Sequence, residues 1–183
     1  MDGIPARAVS LISIKWMSCP AELKFQSEGL FVLLLCENGC MAVAQVQHFL
    51  GRARDFLKGM ENLVKEEFYV LDDDLVSYKY SPAVLGIHGA ISYSDALRTG
   101  LGQETVSSDD HNQAANELDS LLKSRSFGNR IGIGHLKDLL SKKNTVEYRS
   151  VTVRENEIED IVKHARRFAD WAEKTGRALK IWG

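Results

Sequence analysis

From position 46 onward, apolar residues recur at three- and four-residue spacing, the period of helices that bury one face. The first such stripe is Val46, Phe49, Leu50, Ala53, Phe56, Leu57, Met60, Leu63 and Val64, with Arg52, Arg54, Lys58 and Glu61 on other faces. Asp72, Asp73, Asp74 and Ser77 break the pattern before a second helix, expected from Pro82 to about Arg98. Ser81 suits its N-cap and Pro82 its first turn, and Gly100 and Gly102 mark its end. Apolar residues fall on nearly every side of this segment, so it is expected to be enclosed by the other helices.

A third helix is expected from Ser107 or Ser108, where Asp109 and Asp110 complement the positive end of the helix dipole. Its buried stripe reads His111, Ala114, Ala115, Leu118, Leu121 and Leu122. Gly128, Gly132 and Gly134 predict a loop over 124–134, followed by a short fourth helix from His135 that ends at Lys142-Lys143-Asn144 or continues into Tyr148. Thr152-Val153-Arg154-Glu155 reads as a capping box for a long last helix. That helix buries Ile158, Ile161, Val162, Ala165, Phe168, Ala169 and Ala172, with Trp171 just off the stripe. The fold class is therefore all-α, an antiparallel bundle of about five helices with a short non-helical N-terminal extension.

Residues 1–41 are set apart as that extension, and 42–183 as the bundle. Leu11-Ile12-Ser13-Ile14 and the run from Leu30 to Leu35 lack helical periodicity; they suit either a small strand pair or a segment upstream of a native start at Met41. The three cysteines, Cys19, Cys36 and Cys40, all precede Met41. An odd, clustered set without metal-ligand spacing fits reduced thiols in the cytoplasm, so neither a disulfide framework nor a zinc site is expected. The apolar run falls far short of the roughly 18 residues that span a bilayer. At 183 residues and 44% hydrophobic content the chain suffices for one sizeable core, and a net charge of −2 supplies no general footprint for nucleic acid. Any RNA contact must come from a local basic patch.

Polar residues inside apolar helices are the candidates for chemistry, because a buried polar group needs a partner. His88 and Asp95 lie seven residues apart and so on roughly one face of the second helix. They read either as a pocket facing the Lys142 to Tyr148 segment, with Asp95 pairing to Lys143, or as a structural network. His111 suits a helix-start residue bonding local backbone or a ligand contact. Lys163, His164, Arg166 and Arg167 form a basic patch on the last helix among Glu157, Glu159, Asp160 and Asp170, the pattern of a solvated face.

Several stretches, taken in order, resemble one family. They are Phe49-Leu50 through Ala53-Arg54-Asp55-Phe56-Leu57, then Ala90-Ile91-Ser92-Tyr93-Ser94-Asp95-Ala96-Leu97, then Asp110-His111 through Ala114-Ala115. Leu139-Leu140-Ser141-Lys142-Lys143-Asn144-Thr145-Val146-Glu147-Tyr148 and Ala165-Arg166-Arg167-Phe168-Ala169-Asp170-Trp171 complete the pattern. Over residues 42–180 the chain is similar to the HEPN family (higher eukaryotes and prokaryotes nucleotide-binding domain). The resemblance implies a helical bundle, often a homodimer, in a family where many members are metal-independent ribonucleases acting as toxins or defence effectors.

The family's catalytic signature is an Arg, commonly followed by Asn, with a His about four to six residues further on. The histidine handles the 2′-hydroxyl proton and the guanidinium stabilises charge on phosphorus. Arg130 and His135 have the literal spacing. Lys143-Asn144-Thr145-Val146-Glu147-Tyr148 aligns better, but carries Lys for Arg and Glu147 or Tyr148 where the His belongs. Lysine lacks the two-pronged contact of arginine, and a phenol near pKa 10 is a poor base at neutral pH.

The expected function is thus a catalytically degraded binding or interaction module of a toxin–antitoxin, defence or nucleotide-sensing system. The alternative is a metal-independent endoribonuclease toxin using His88, His111 or the Arg130 and His135 pair. Binding is expected at Asp95, His111, Lys142, Lys143, Asn144 and Tyr148, with no cofactor or metal. A homodimer, RNA or a nucleotide, and a nucleotidyltransferase-type antitoxin are the expected partners.

Overall fold

The computed structural model describes residues 32–65, 80–103, 111–148 and 154–183, the side chains of 32–41, 111, 112 and 148 excepted. Five helices follow in order: α1 (Val32–Lys65), α2 (Ser81–Gly100), α3 (His111–Ser124), α4 (Ile131–Tyr148) and α5 (Glu155–Ala178). No strand occurs among the described residues. α1 begins at Val32, so Leu33 to Leu35 are helical and not part of a strand pair. The remaining apolar clusters of the N-terminal segment lie outside the described residues.

α2 is the axis of the bundle and touches all four other helices. Its Ala83, Ile87, Ala90, Ala96 and Leu97 are fully enclosed, which accounts for its lack of a polar side. Around it pack Leu50, Ala53 and Met60 of α1, Leu118 and Leu122 of α3, Leu136 and Leu139 of α4, and Ile158, Ile161, Ala165 and Phe168 of α5. Burying a large aliphatic or aromatic side chain of this kind contributes roughly 1.5–3 kcal/mol.

The helix starts differ from expectation in instructive ways. At α2 the cap position is Tyr80, without a side-chain cap, and Ser81 and Pro82 already lie in the helix. At α5 the cap position is Arg154, whose backbone N–H donates to Glu157 Oε2 at 3.0 Å. Glu157 fills the acidic half of a capping box two residues later than the Thr152 motif would place it.

The largest difference is α4, which starts at Ile131 and not at His135. Gly132 lies inside the helix, because α5 approaches there so closely that a Cβ would meet the Trp171 ring at 2.1 Å. Trp171 is buried, and its indole N–H donates to the Asn129 carbonyl at 3.0 Å. The glycine serves close packing between two helices, whereas a turn would have used its conformational freedom.

Candidate functional site

Among the described residues, three polar clusters built on α2 join it to the other helices. The first ties α1, α2 and α5 at Glu173. Arg54 donates to both carboxylate oxygens, from Nε at 2.7 Å and Nη2 at 3.1 Å, and the Tyr93 hydroxyl donates to Oε1 at 3.0 Å. Burial pushes the Glu173 carboxyl up, but the hydrogen bonds from Arg54 and Tyr93 more than reverse this and hold it below the usual range. The Tyr93 hydroxyl is pushed up to about 12, by burial first and then by the adjoining carboxylate. A phenol held so firmly neutral is a hydrogen-bond donor and no base at neutral pH.

The second cluster surrounds Arg98, which is only 4% exposed. It pairs with Asp95 at 3.3 Å and with Glu117 of α3, which also accepts from Gln103 at 2.8 Å. The expected Asp95 to Lys143 pair does not form; Asp95 turns to the arginine one turn along its own helix. Burial pushes the Asp95 carboxyl up to about 6, against the pull of Arg98 and Arg52.

The third cluster is where α2 meets the end of α4. His88, expected with Asp95 to face this segment, does so: its Nε2 stands 3.0 Å from Glu147 Oε1. Lys143 Nζ reaches the other oxygen of Glu147 at 2.8 Å. The Glu147 side chain is only 10% exposed, while that of His88 is 37% exposed. Glu147 Oε1 is buried and accepts no hydrogen bond from the described residues, since the approach of His88 lacks hydrogen-bond geometry. Phe56 of α1 flanks the imidazole with ring centroids 5.7 Å apart, and the Arg52 guanidinium lies 5.8 Å from the Phe56 centroid. A partly open imidazole and an ammonium thus share one nearly buried carboxylate.

The other expected site residues separate. Arg130, just before α4, pairs with Asp119 of α3 at 2.7 Å. His135 instead faces α5, where its Nδ1 lies 3.2 Å from His164 Nδ1. The literal Arg130 and His135 spacing therefore does not make a shared site. Lys142 is half-buried and Asn144 exposed on the last turns of α4. The side chains of His111 and Tyr148 lie outside the described residues.

One further grouping is only partly visible in the sequence pattern. His164 Nδ1 is also 3.3 Å from Asp138 Oδ2, and one donor atom from each of His135, Asp138 and His164 lies within 4.8 Å of the others. His135 and Asp138 at i and i+3 give a visible hint of a shared helix face; His164, on another helix, gives none. The His135 imidazole is held below its usual pKa, first by burial and then by His164 and Arg167, with Asp138 opposing them.

No protein family, curated protein or solved structure matches this chain. Among the described residues, no helix is long and apolar enough to cross a membrane. The fold and site define an all-α bundle of five helices with an ionic cluster where α2 meets α4.

Proposed function

We propose that this protein is a HEPN-like interaction module whose catalytic centre is degraded, working as a homodimer or with a nucleotidyltransferase-type antitoxin in a toxin–antitoxin, defence or nucleotide-sensing system. The observation that carries this reading is the carboxylate of Glu147 between His88 and Lys143. A metal-independent ribonuclease needs an imidazole free to move a proton and a cation free to meet phosphate. Here the ammonium is compensated by a carboxylate inside the fold, and a phosphate at the same place would face that negative charge. Asp95, the other polar residue of α2, is engaged by Arg98 and stands apart from this cluster.

The test is incubation of purified protein with mixed RNA in excess chelator, beside His88→Ala and His135→Ala preparations as controls against contaminating nuclease. The expected result is no cleavage above the controls, together with a dimer by light scattering. Robust cleavage lost in either histidine variant, with the fold intact by circular dichroism, would overturn the reading in favour of an endoribonuclease.

A further inference from the structure

We infer that His135, Asp138 and His164 form a binding site for a divalent transition-metal ion of the zinc class, with one coordination position open to solvent. The inference stands on how three donor atoms converge from α4 and α5. His164 Nδ1 lies 3.2 Å from His135 Nδ1 and 3.3 Å from Asp138 Oδ2. In a tetrahedral zinc site with bonds of about 2.0–2.1 Å, neighbouring donor atoms are roughly 3.3–3.4 Å apart along the tetrahedron edge. Both separations are within about 0.2 Å of that edge. The third pair lies within 4.8 Å, so a small rotation of the exposed Asp138 side chain completes the set.

Hydrogen bonding alone serves this arrangement poorly. A neutral imidazole carries one proton, on one of its two nitrogens. If His164 Nδ1 holds it, that N–H must serve both Asp138 and the His135 lone pair. If His135 Nδ1 holds it, His164 Nδ1 becomes an acceptor and faces the Asp138 carboxylate with its lone pair. Either way, at least one of the two short contacts is weak or repulsive. A cation at the centre attracts all three atoms through their lone pairs.

The donor chemistry also selects the ion. Two imidazoles and one carboxylate suit zinc and its first-row neighbours, whereas magnesium and calcium prefer an all-oxygen shell. Asp138 is 59% exposed, which leaves the remaining position reachable by water or an anionic ligand. Arg167 opposes the ion: its positive charge acts on His135 and lowers affinity for any cation placed there.

The experiment titrates the metal-free full chain with Zn²⁺ by calorimetry, and with Co²⁺ followed by its visible spectrum. One ion per chain is expected to bind at this site, giving the intense d–d bands of a four-coordinate cobalt site. His164→Ala and Asp138→Asn, folded by circular dichroism, are expected to weaken that binding at least tenfold, and Arg167→Ala to strengthen it. Any thiolate can compete for zinc, so each titration is repeated with Cys19, Cys36 and Cys40 changed to Ser. Binding that persists in that background and disappears in the His164 and Asp138 variants supports the site. Binding that follows the cysteines, survives both α4 and α5 substitutions, or is absent from the parent chain overturns it. Should either variant unfold, the readout becomes a zinc-dependent rise in the melting temperature of the cysteine-free parent. A rise that Arg167→Ala enlarges supports the site, and no rise overturns it. RNA cleavage plays no part in these readouts, so the metal site and the interaction-module reading stand or fall separately.

Discussion

The ring of Trp171 occupies the space that a side chain at position 132 would need: a Cβ there would lie 2.1 Å from Cδ2 and 2.2 Å from Cε3. Helices α4 and α5 therefore meet across a glycine and an indole whose N–H is fixed by the Asn129 carbonyl. Replacing Gly132 with Ala is expected to force the two helices apart and to cost about 1–3 kcal/mol, as overpacking a core usually does. Gly134, two residues on, has nothing within 4 Å of such a Cβ. There, Gly→Ala should stabilise by up to about 1 kcal/mol through helix propensity. Chemical denaturation of the two variants should give changes of opposite sign.

Asp95 leaves a signature in the pH dependence of stability. Its folded-state pKa of about 6 stands above the ordinary carboxyl value of 3.8, so the folded protein binds the proton more tightly than the unfolded chain. The associated stabilisation is fully present below about pH 4 and is lost as the pH rises through about 6. A gap of this size between the folded and unfolded pKa corresponds to on the order of 2–3 kcal/mol. Asp95→Asn keeps an oxygen for Arg98 and removes the titration. The difference between the two proteins' stability curves should therefore change across this window and be flat above it. A constant difference from about pH 3.5 to pH 7 would exclude a raised Asp95.

Glu173 behaves in the opposite sense. With its folded-state pKa lowered, it contributes stability above the usual carboxylate range and loses it as acid protonates the folded form. Glu173→Gln should flatten the acid limb of the stability curve. Tyr93→Phe removes one hydrogen bond to the same carboxylate and should cost roughly 1–2 kcal/mol, because the Arg54 contacts remain. A Tyr93→Phe protein that melts with the parent would show the hydroxyl to be dispensable.

Removing the carboxylate that His88 and Lys143 share should unmask the ammonium of Lys143. Glu147→Gln is expected to tighten binding of a single-stranded RNA several-fold at low salt, with a steeper loss of affinity as salt rises. Fluorescence anisotropy across a salt series measures both. Unchanged affinity and slope would mean that Lys143 does not face bound phosphate.

Much of the bundle is legible in the pattern of apolar residues, and the exceptions have identifiable physical causes. The stripe from Ile158 to Ala172 on α5 is buried as its period requires, Ala169 being only partly so. Gly132 reads as a loop residue in the sequence because a missing side chain serves turns and close helix contacts alike. What distinguishes the two is Trp171, 39 residues away in the chain and invisible to any local window. For the same reason Trp171 falls just off its own stripe: it fills the notch at Gly132. The pairing of Asp95 with Arg98 at i and i+3 is available in the sequence, and it prevails over the longer reach to Lys143. His88 is legible as a polar residue facing the end of α4, and its partner there is Glu147, a carboxylate one turn after Lys143.

The enclosure of α2 by all the other helices has a consequence for how the chain is made. While the ribosome has released only α1 to α4, the flank of α2 that α5 will cover is open to water, and Gly86 lies bare where Ala165 will pack. The bundle can therefore close only once α5 has followed α1 to α4 out of the ribosome. Until then the nascent chain carries an apolar trough along α2.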